Sequence, residues 1–280
     1  MSKSIRRYFT PYRLITNLLV FIFSFTCLFP LVWMGYTSLK TNQEYTQSSL
    51  ALPEALNFSN YYNVLVQANF GMYFTNSAIT AITTMVVVVL FAFIAGYFLS
   101  RYRFKGRSLI YGFFMLGLVV PTYAWLLPIF IQFKQLGLLD HYWTLALPYS
   151  AFALPMSVFL VESFVKSIPT EMEEAAMIEG CSIINILRII IFPLCTPILV
   201  TILILVFNNS WNELPFGLVL INLDELRTVP VALTMFTGTY TVDYPYLVTA
   251  LVIAVLPVVL FYVFFSKRIM EGMTAGAVKG

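Results

Sequence analysis

The sequence predicts an all-α, polytopic membrane protein with six transmembrane helices and both termini on the cytoplasmic side. Three observations lead there. Of the 280 residues, 60% are hydrophobic and only 10% charged, whereas soluble domains carry about 25% charged residues. A water-facing surface of ordinary polarity cannot be built from such a chain. Apolar runs recur at roughly the 20-residue length that a helix needs to cross a bilayer. The lysines and arginines between those runs fall unevenly on the two sides, and short loops rich in them stay cytoplasmic.

Taken in order, the first run covers 14–38. It is too long for the core of a signal peptide, and no small-residue cleavage pattern follows, so it is expected to remain as a membrane helix. The outer segment 41–71 comes next. Its Pro53-Glu54-Ala55-Leu56-Asn57 and the aromatic Phe58, Tyr61 and Tyr62 read as a turn leading into an interfacial helix, resting on headgroups or meeting a partner. The remaining spans are placed at 72–99, 109–132, 142–161, 196–220 and 246–265. With the N-terminus inside, 13 of the 16 lysines and arginines lie on the inner side, and only Lys40, Lys134 and Arg227 lie outside. One transmembrane domain is expected over 1–280, with a cytoplasmic loop at 162–195 and a cytoplasmic tail at 266–280. No period of about 20–50 residues recurs, which argues against repeat architectures.

Several functions lose support at this level. A net charge of +3 gives nucleic-acid binding no electrostatic basis. Cys27, Cys181 and Cys195 have no metal-type spacing and are too few for a disulfide framework, so no metal site is expected. The sequence holds no GxxxxGK[ST] phosphate loop. No nucleotide cofactor is therefore expected in this chain, and no catalytic residues. The single histidine, His141, sits beside Asp140 in an outer loop, where a solvated or capping role suits it. Ion-coupled carriers keep ionisable groups inside their spans. Here only Glu213, late in the fifth, and Glu162, at the inner end of the fourth, come near.

The loop between the fourth and fifth spans has more character. Thr170 and Glu173 fit a capping box, and Gly180 suits the left-handed position after a helix end. Glu171, Glu173 and Glu174 crowd the first turns, where the helix dipole favours acid. The helix would be about 14 Å long at 1.5 Å per residue, too short to be stable alone in water. Met172, Ala175, Ala176 and Glu179 share one face, and Glu171 and Glu174 lie together on an adjoining one. Such a helix either receives another protein or lies on the membrane surface.

Glu174-Ala175-Ala176, three residues, Gly180, nine residues, Ile190, one residue and Phe192-Pro193 resemble the EAA signature of bacterial ABC importer permeases. That family's pattern ends in Ile-x-Leu-Pro, so Phe192 departs from it. The resemblance implies that the loop is a coupling helix docked in a cleft of an ATPase. Glu171, Glu174, Ala175, Ala176, Gly180 and Pro193 would be the coupling residues, with Glu174 touching the ATPase, Gly180 turning between two short helices and Pro193 marking re-entry to the membrane. Trp211-Asn212-Glu213, Pro121-Thr122, Leu127-Pro128, Leu136-Gly137-Leu138 and the ending 272–280 are similar to the maltose-type sugar permeases. The six-span length resembles the shorter, MalG-like member of the pair.

What this resemblance implies is a type I ABC importer permease in the bacterial cytoplasmic membrane. Its partners would be a MalF-like second permease, a homodimeric ABC ATPase holding ATP and Mg, an extracytoplasmic sugar-binding protein, and a sugar or oligosaccharide. Gly276, Lys279 and Gly280 in the tail would contact the ATPase, and the outer loop 221–244 would reach the binding protein. Asn208, Asn209, Asn212 and Glu213 cluster beside Pro215. They either repair the broken helix or, with Trp211, form a polar wall of the translocation path. Tyr123 and Trp125 either stack on sugar rings or belong to an interfacial aromatic belt. A stand-alone secondary sugar carrier and a non-transporting sensor on the same scaffold are the alternative readings.

Overall fold

The computed structural model describes residues 11–236 and 243–277, with side chains for 15–236 and 243–265. Among the described residues every regular element is helical. The order begins with α1 (Pro11–Thr37), α2 (Asn42–Gln47), α3 (Ser59–Tyr62), a π-helical turn (Asn63–Gln67) and α4 (Phe70–Arg101). α5 (Arg107–Val119), a 3-10 turn (Thr122–Trp125), α6 (Leu126–Leu136), α7 (Ala146–Lys166) and α8 (Glu171–Ile178) follow. Then come α9 (Ile183–Asn185), a π-helical turn (Ile186–Ile191), α10 (Phe192–Leu194) and α11 (Thr196–Trp211). The last are α12 (Pro215–Leu220), a 3-10 turn (Asp224–Leu226), α13 (Val229–Met235) and α14 (Tyr244–Ala277).

Four helical stretches are long and apolar enough to cross a membrane: Ile15–Thr37, Phe70–Arg101, Ala146–Lys166 and Tyr244–Phe265. Two bent pairs raise this to as many as six if each counts as one span. They are Arg107–Val119 with Thr122–Leu136, bent by 96°, and Ile183–Leu194 with Thr196–Trp211, bent by 73°.

The expected third span, 109–132, is therefore not one continuous helix. Pro121 has no N–H to give and forces the residue before it out of the helical region; Val120 accordingly sits at φ −76°, ψ 125°. The expected fifth span, 196–220, is helical only to Trp211, and the chain restarts at Pro215. The expected fourth span, 142–161, is displaced to 146–166, because 141–145 forms a turn. The last helix also runs past 265 to Ala277, where a tail is expected. Each added residue of an existing helix gains a hydrogen bond without a new nucleus, which outweighs about 1 kcal/mol for each interior glycine.

The chain divides into two compact units. In Met1–Phe70 with Met235–Leu256, the segment that follows α1 folds around a buried lysine. Lys40 Nζ donates to the carbonyls of Ser48 (2.9 Å) and Ser49 (3.2 Å) and lies over the Tyr36 ring. Burial lowers its pKa, an effect partly offset by the Glu44 carboxylate. Asn60 Nδ2 donates to the carbonyls of Ser38 and Lys40, and Thr249 Oγ1 donates to the same Ser38 carbonyl. α2 begins with a complete capping box, Thr41 and Glu44 satisfying one another's backbone N–H.

In Gly71–Thr234 with Pro257–Gly280, α5 and α11 both pack on α7. The close approaches are made by glycine. A Cβ at Gly96 of α4 would lie 2.7 Å from the Val161 side chain and 3.0 Å from the backbone N of Glu162. Asp140 (φ +58°) joins two loops: its Oδ1 accepts from the backbone N–H groups of Asn222 (2.5 Å) and Leu223 (3.1 Å). Burial alone would raise the Asp140 pKa, but these hydrogen bonds outweigh it and hold the carboxyl below its ordinary value.

Two outcomes follow. Gly96→Ala should destabilise the chain by about 1–3 kcal/mol through overpacking. Gly112→Ala in α5, whose Cβ meets nothing within 4 Å, should be neutral or gain up to about 1 kcal/mol; thermal melts in detergent compare the two. Because the folded pKa of Asp140 is depressed, its stabilisation is present above the unfolded value near 3.9 and lost as pH falls through the lower folded value. Amide exchange at Asn222 and Leu223, corrected for its intrinsic pH dependence, should therefore gain protection-factor loss only below about pH 4.

Candidate functional site

α8 is an eight-residue helix between α7 and the bent pair that leads into α11. Its capping box does not form, for Thr170 makes no side-chain cap. Glu173, the residue expected to reach back to the cap, turns inward and is only 5% exposed. Arg101 Nε donates to Glu173 Oε1 at 2.6 Å, and Tyr97 Oη donates to Oε2 at 2.7 Å. Arg101 Nη2 also donates to the Ile168 carbonyl at 2.8 Å. The C-terminal end of α4, the α7–α8 link and α8 are thereby joined in one buried cluster. Removing one partner of a buried pair typically costs about 3–5 kcal/mol.

A second buried carboxylate secures the loop's root. Glu162 pairs with Lys166 one turn on and with Arg107 Nη2 at 3.4 Å, while Arg107 Nε donates to the Leu99 carbonyl at 2.6 Å. Three of the basic residues counted on the inner side are thus bound to carboxylates of this chain.

The opposite side of α8 is open. Glu171, Met172, Glu174, Ala175, Met177 and Ile178 are exposed, Ile178 to 88%. Ala176, one of the expected coupling residues, instead faces inward at 7%. Gly180 takes φ +84°, and its N–H donates to the Met177 carbonyl while that of Cys181 donates to the Ala176 carbonyl. That is a Schellman ending. Ser182 then accepts from the Asn185 N–H and opens the next turn. Pro193 stands at the start of α10. Phe192, the departure from the EAA pattern, lies edge-on to Phe93.

Deeper in the same unit is a cavity of about 360 Å³. Asn208, Asn209, Asn212, Glu213 and Tyr123 line it, joined by Thr84 of α4 and Tyr149 of α7. Glu213 has a defined task there. Its Oε1 accepts from the Phe216 N–H (2.9 Å), and its Oε2 from the Gly217 N–H (3.2 Å) and the Tyr149 hydroxyl (2.5 Å). The carboxylate supplies the acceptor that the N-terminus of α12 needs. Asn212 Nδ2 donates back to Asn208 O and Oδ1, so repair of the broken helix and lining of the cavity are done by the same residues. Asn209 is exposed toward this space.

Two expected path residues lie elsewhere. Trp211 is buried, stacked on Phe207 and edge-on to Phe74. Trp125 is exposed on its 3-10 turn and is not among the cavity's lining residues. Gly276 falls within α14, whereas Lys279 and Gly280 lie outside the described residues. The segment 221–244, expected to reach a binding protein, contributes an Asp224–Arg227 pair, and its residues 237–242 also lie outside the described residues. Tyr97, Thr84 and Tyr149 have no role in the sequence reading, where Arg101 counts only as an inner-side charge and Glu173 only as a capping-box acid in the first turn. Two adjacent glutamates at the start of a helix carried the only hint, since they point about 100° apart and cannot both face water equally.

Residues 89–274 match the family described as binding-protein-dependent transport system inner membrane component. The chain is 36% identical over 258 residues to the trehalose/maltose transport system permease protein MalG of Thermococcus litoralis, covering 91% of this chain and 92% of that one. It is 34% identical over 254 residues to the sulfoquinovosyl glycerol transport system permease protein SmoH of Agrobacterium fabrum, covering 90% and 89%. Among solved structures, a chain of a bacterial ABC transporter involved in import of the acidic polysaccharide alginate shares the fold, with TM-score 0.82, 24% identity and coverage of 96% and 99%.

Nothing lies within 4 Å of a Cβ placed on Gly180. Gly180→Ala should therefore lose only the backbone term, about 1–2 kcal/mol for a left-handed non-glycine residue. Hydrogen exchange should quicken at the end of α8 and leave α4 unchanged.

Proposed function

Since the chain belongs to the family of inner membrane components of binding-protein-dependent transport systems, we propose that it is the MalG-like half of a carbohydrate importer driven by a separate ATPase. It would pair with a MalF-like permease, receive sugar from an extracytoplasmic binding protein and take its energy from a homodimeric ATPase that holds ATP and Mg. In this reading each bent pair is one span, giving six, with both termini on the cytoplasmic side of a bacterial cytoplasmic membrane.

The observation that carries the proposal is the open face of α8. A helix of eight residues presents Met172, Met177 and Ile178 beside Glu171 and Glu174, a surface whose apolar part is unfavourable in water and whose acidic part suits a basic cleft. The exposed face of Gly180 and the turn after it complete the docking element, and Gly276, Lys279 and Gly280 would add a second contact. Closing of the ATPase would move α8, and the paired permeases would pass from inward- to outward-facing. Such a change needs two helix arrangements that ligands at each end bias differently.

The cavity supports the substrate class. Amide groups from Asn208, Asn209 and Asn212 beside the Tyr123 ring suit a sugar, which offers hydroxyls at its edges and C–H faces to aromatics. The named substrates of the relatives, trehalose or maltose and sulfoquinovosyl glycerol, fit the same class. A stand-alone carrier would instead take up sugar with no ATPase present, and a sensor would bind the ATPase without moving sugar.

Glu174→Lys reverses the charge offered to the ATPase. Losing a desolvated interfacial charge pair costs about 2–5 kcal/mol, so ATPase binding to the detergent-solubilised permease pair should weaken at least ~30-fold. Undiminished co-purification of the ATPase at matched concentrations would dismiss the docking role.

A further inference from the structure

We propose that Glu173, held by Arg101 and Tyr97, is the positioning residue that fixes the coupling helix to the end of α4 so that the two move together. The inference rests on the docking reading of α8 and goes beyond it, because it names where the motion goes next.

The peptide links on either side of α8 are poor transmitters. One runs through Ser167 to Thr170, and the other passes the left-handed Gly180 and the turn at Ser182. Both are short irregular segments that rotate about a few dihedrals, so a displaced α8 could swing without moving the spans. The buried cluster removes that freedom. Both oxygens of Glu173 are engaged, at 2.6 Å by Arg101 Nε and at 2.7 Å by Tyr97 Oη. Tyr97 and Arg101 are one turn apart on α4, so the carboxylate is gripped from two levels of the same helix. The planar guanidinium also holds the Ile168 carbonyl, which fixes its plane as well as its charge. Hydrogen bonds of this kind resist pulling as well as pushing. An apolar contact also resists separation, but it is non-directional and so holds a helix less firmly against sliding and rotation.

α4 carries the displacement inward. It is unbroken from Phe70 to Arg101, and Thr84, buried in the wall of the cavity, lies about 26 Å from Arg101 along the axis at 1.5 Å per residue. Glu173 and Glu174, adjacent in the chain, then divide the work. Glu174 faces outward to the moving partner, and Glu173 faces inward to the span that lines the path.

The test uses the complete importer in proteoliposomes: this chain, its second permease, the ATPase and the binding protein. Exposed Cys27 and Cys181 are replaced, buried Cys195 is kept, and Ala153→Cys places a reporter thiol on the cavity lining. Maleimide labelling of that thiol is measured with and without ATP and vanadate, alongside ATP hydrolysis. In Glu173→Gln the ATPase should remain bound and hydrolyse ATP, while the ATP-dependent change in labelling falls about tenfold or more, as expected for loss of a charge-assisted buried hydrogen-bond pair. Tyr97→Phe should give a smaller loss of the same kind. Glu174→Lys should differ by losing the ATPase itself, and its failure to do so would refute the docking reading alone. If Glu173→Gln and Tyr97→Phe keep the full ATP-dependent change, the positioning role is overturned. If Glu173→Gln does not assemble, the reversed pair Arg101→Glu with Glu173→Arg decides. Recovery of assembly and of the labelling change over either single variant supports the role, and no recovery together with a normal Tyr97→Phe rejects it.

Discussion

Hydrocarbon offers no hydrogen-bond partners, and most of the irregularity in this chain is an answer to that fact. A straight span satisfies its own backbone; a broken one leaves free N–H and C=O groups that cost several kcal/mol each in lipid. The chain breaks its helices near Pro121, at Cys195 and between Trp211 and Pro215. Proline stands in the first positions of α10, α11 and α12, where the missing N–H is one that would otherwise have no acceptor. At α12 the remaining donors are met by Glu213, itself steadied by Tyr149. A carboxylate that looked like part of a sugar path is first of all a helix cap, and it keeps company with the asparagines that line the cavity.

Around α8 the chain separates its charges by direction. Glu162 and Glu173 are turned in and matched to Arg107, Lys166 and Arg101. Glu171 and Glu174 are turned out. The inward pairs hold α4, α7 and α8 as a unit, so the outward pair is presented on a firm base although α8 has only eight residues. Three of the basic residues that predict the inner side of the chain, Arg101, Arg107 and Lys166, thus serve also as internal fastening.

The membrane class, the positions of the apolar runs and the left-handed Gly180 were legible in the sequence because they rest on local composition and backbone chemistry. Pro215 announced the break before α12 for the same reason. Pro121 carried an equal signal at the third span, but the apolar run continued through it and masked the 96° bend. Glu173 was assigned to a capping box because the Thr-x-x-Glu spacing is a local pattern. What overrode it came from Tyr97 and Arg101, more than 70 residues away, which no local pattern contains. Tyr149 and Thr84 join the cavity through packing between helices and were invisible for that reason. Trp211 shows the converse: its sequence neighbours line the cavity, yet helical geometry turns its ring to the other side.

The break after α5 has one more effect. α5 has 13 residues, about 20 Å at 1.5 Å per residue, against a hydrocarbon core of about 30 Å. Irregular backbone at such a depth survives only when protein covers it or water reaches it, and Thr122 and Tyr123, directly after the break, line the polar cavity. Water in that cavity would supply partners to the backbone groups freed by the break, with or without a ligand beside it. In the proposed importer a water-filled pocket at this depth would make leakage the problem to solve, and the barrier against ions would rest on the layer of side chains that closes it.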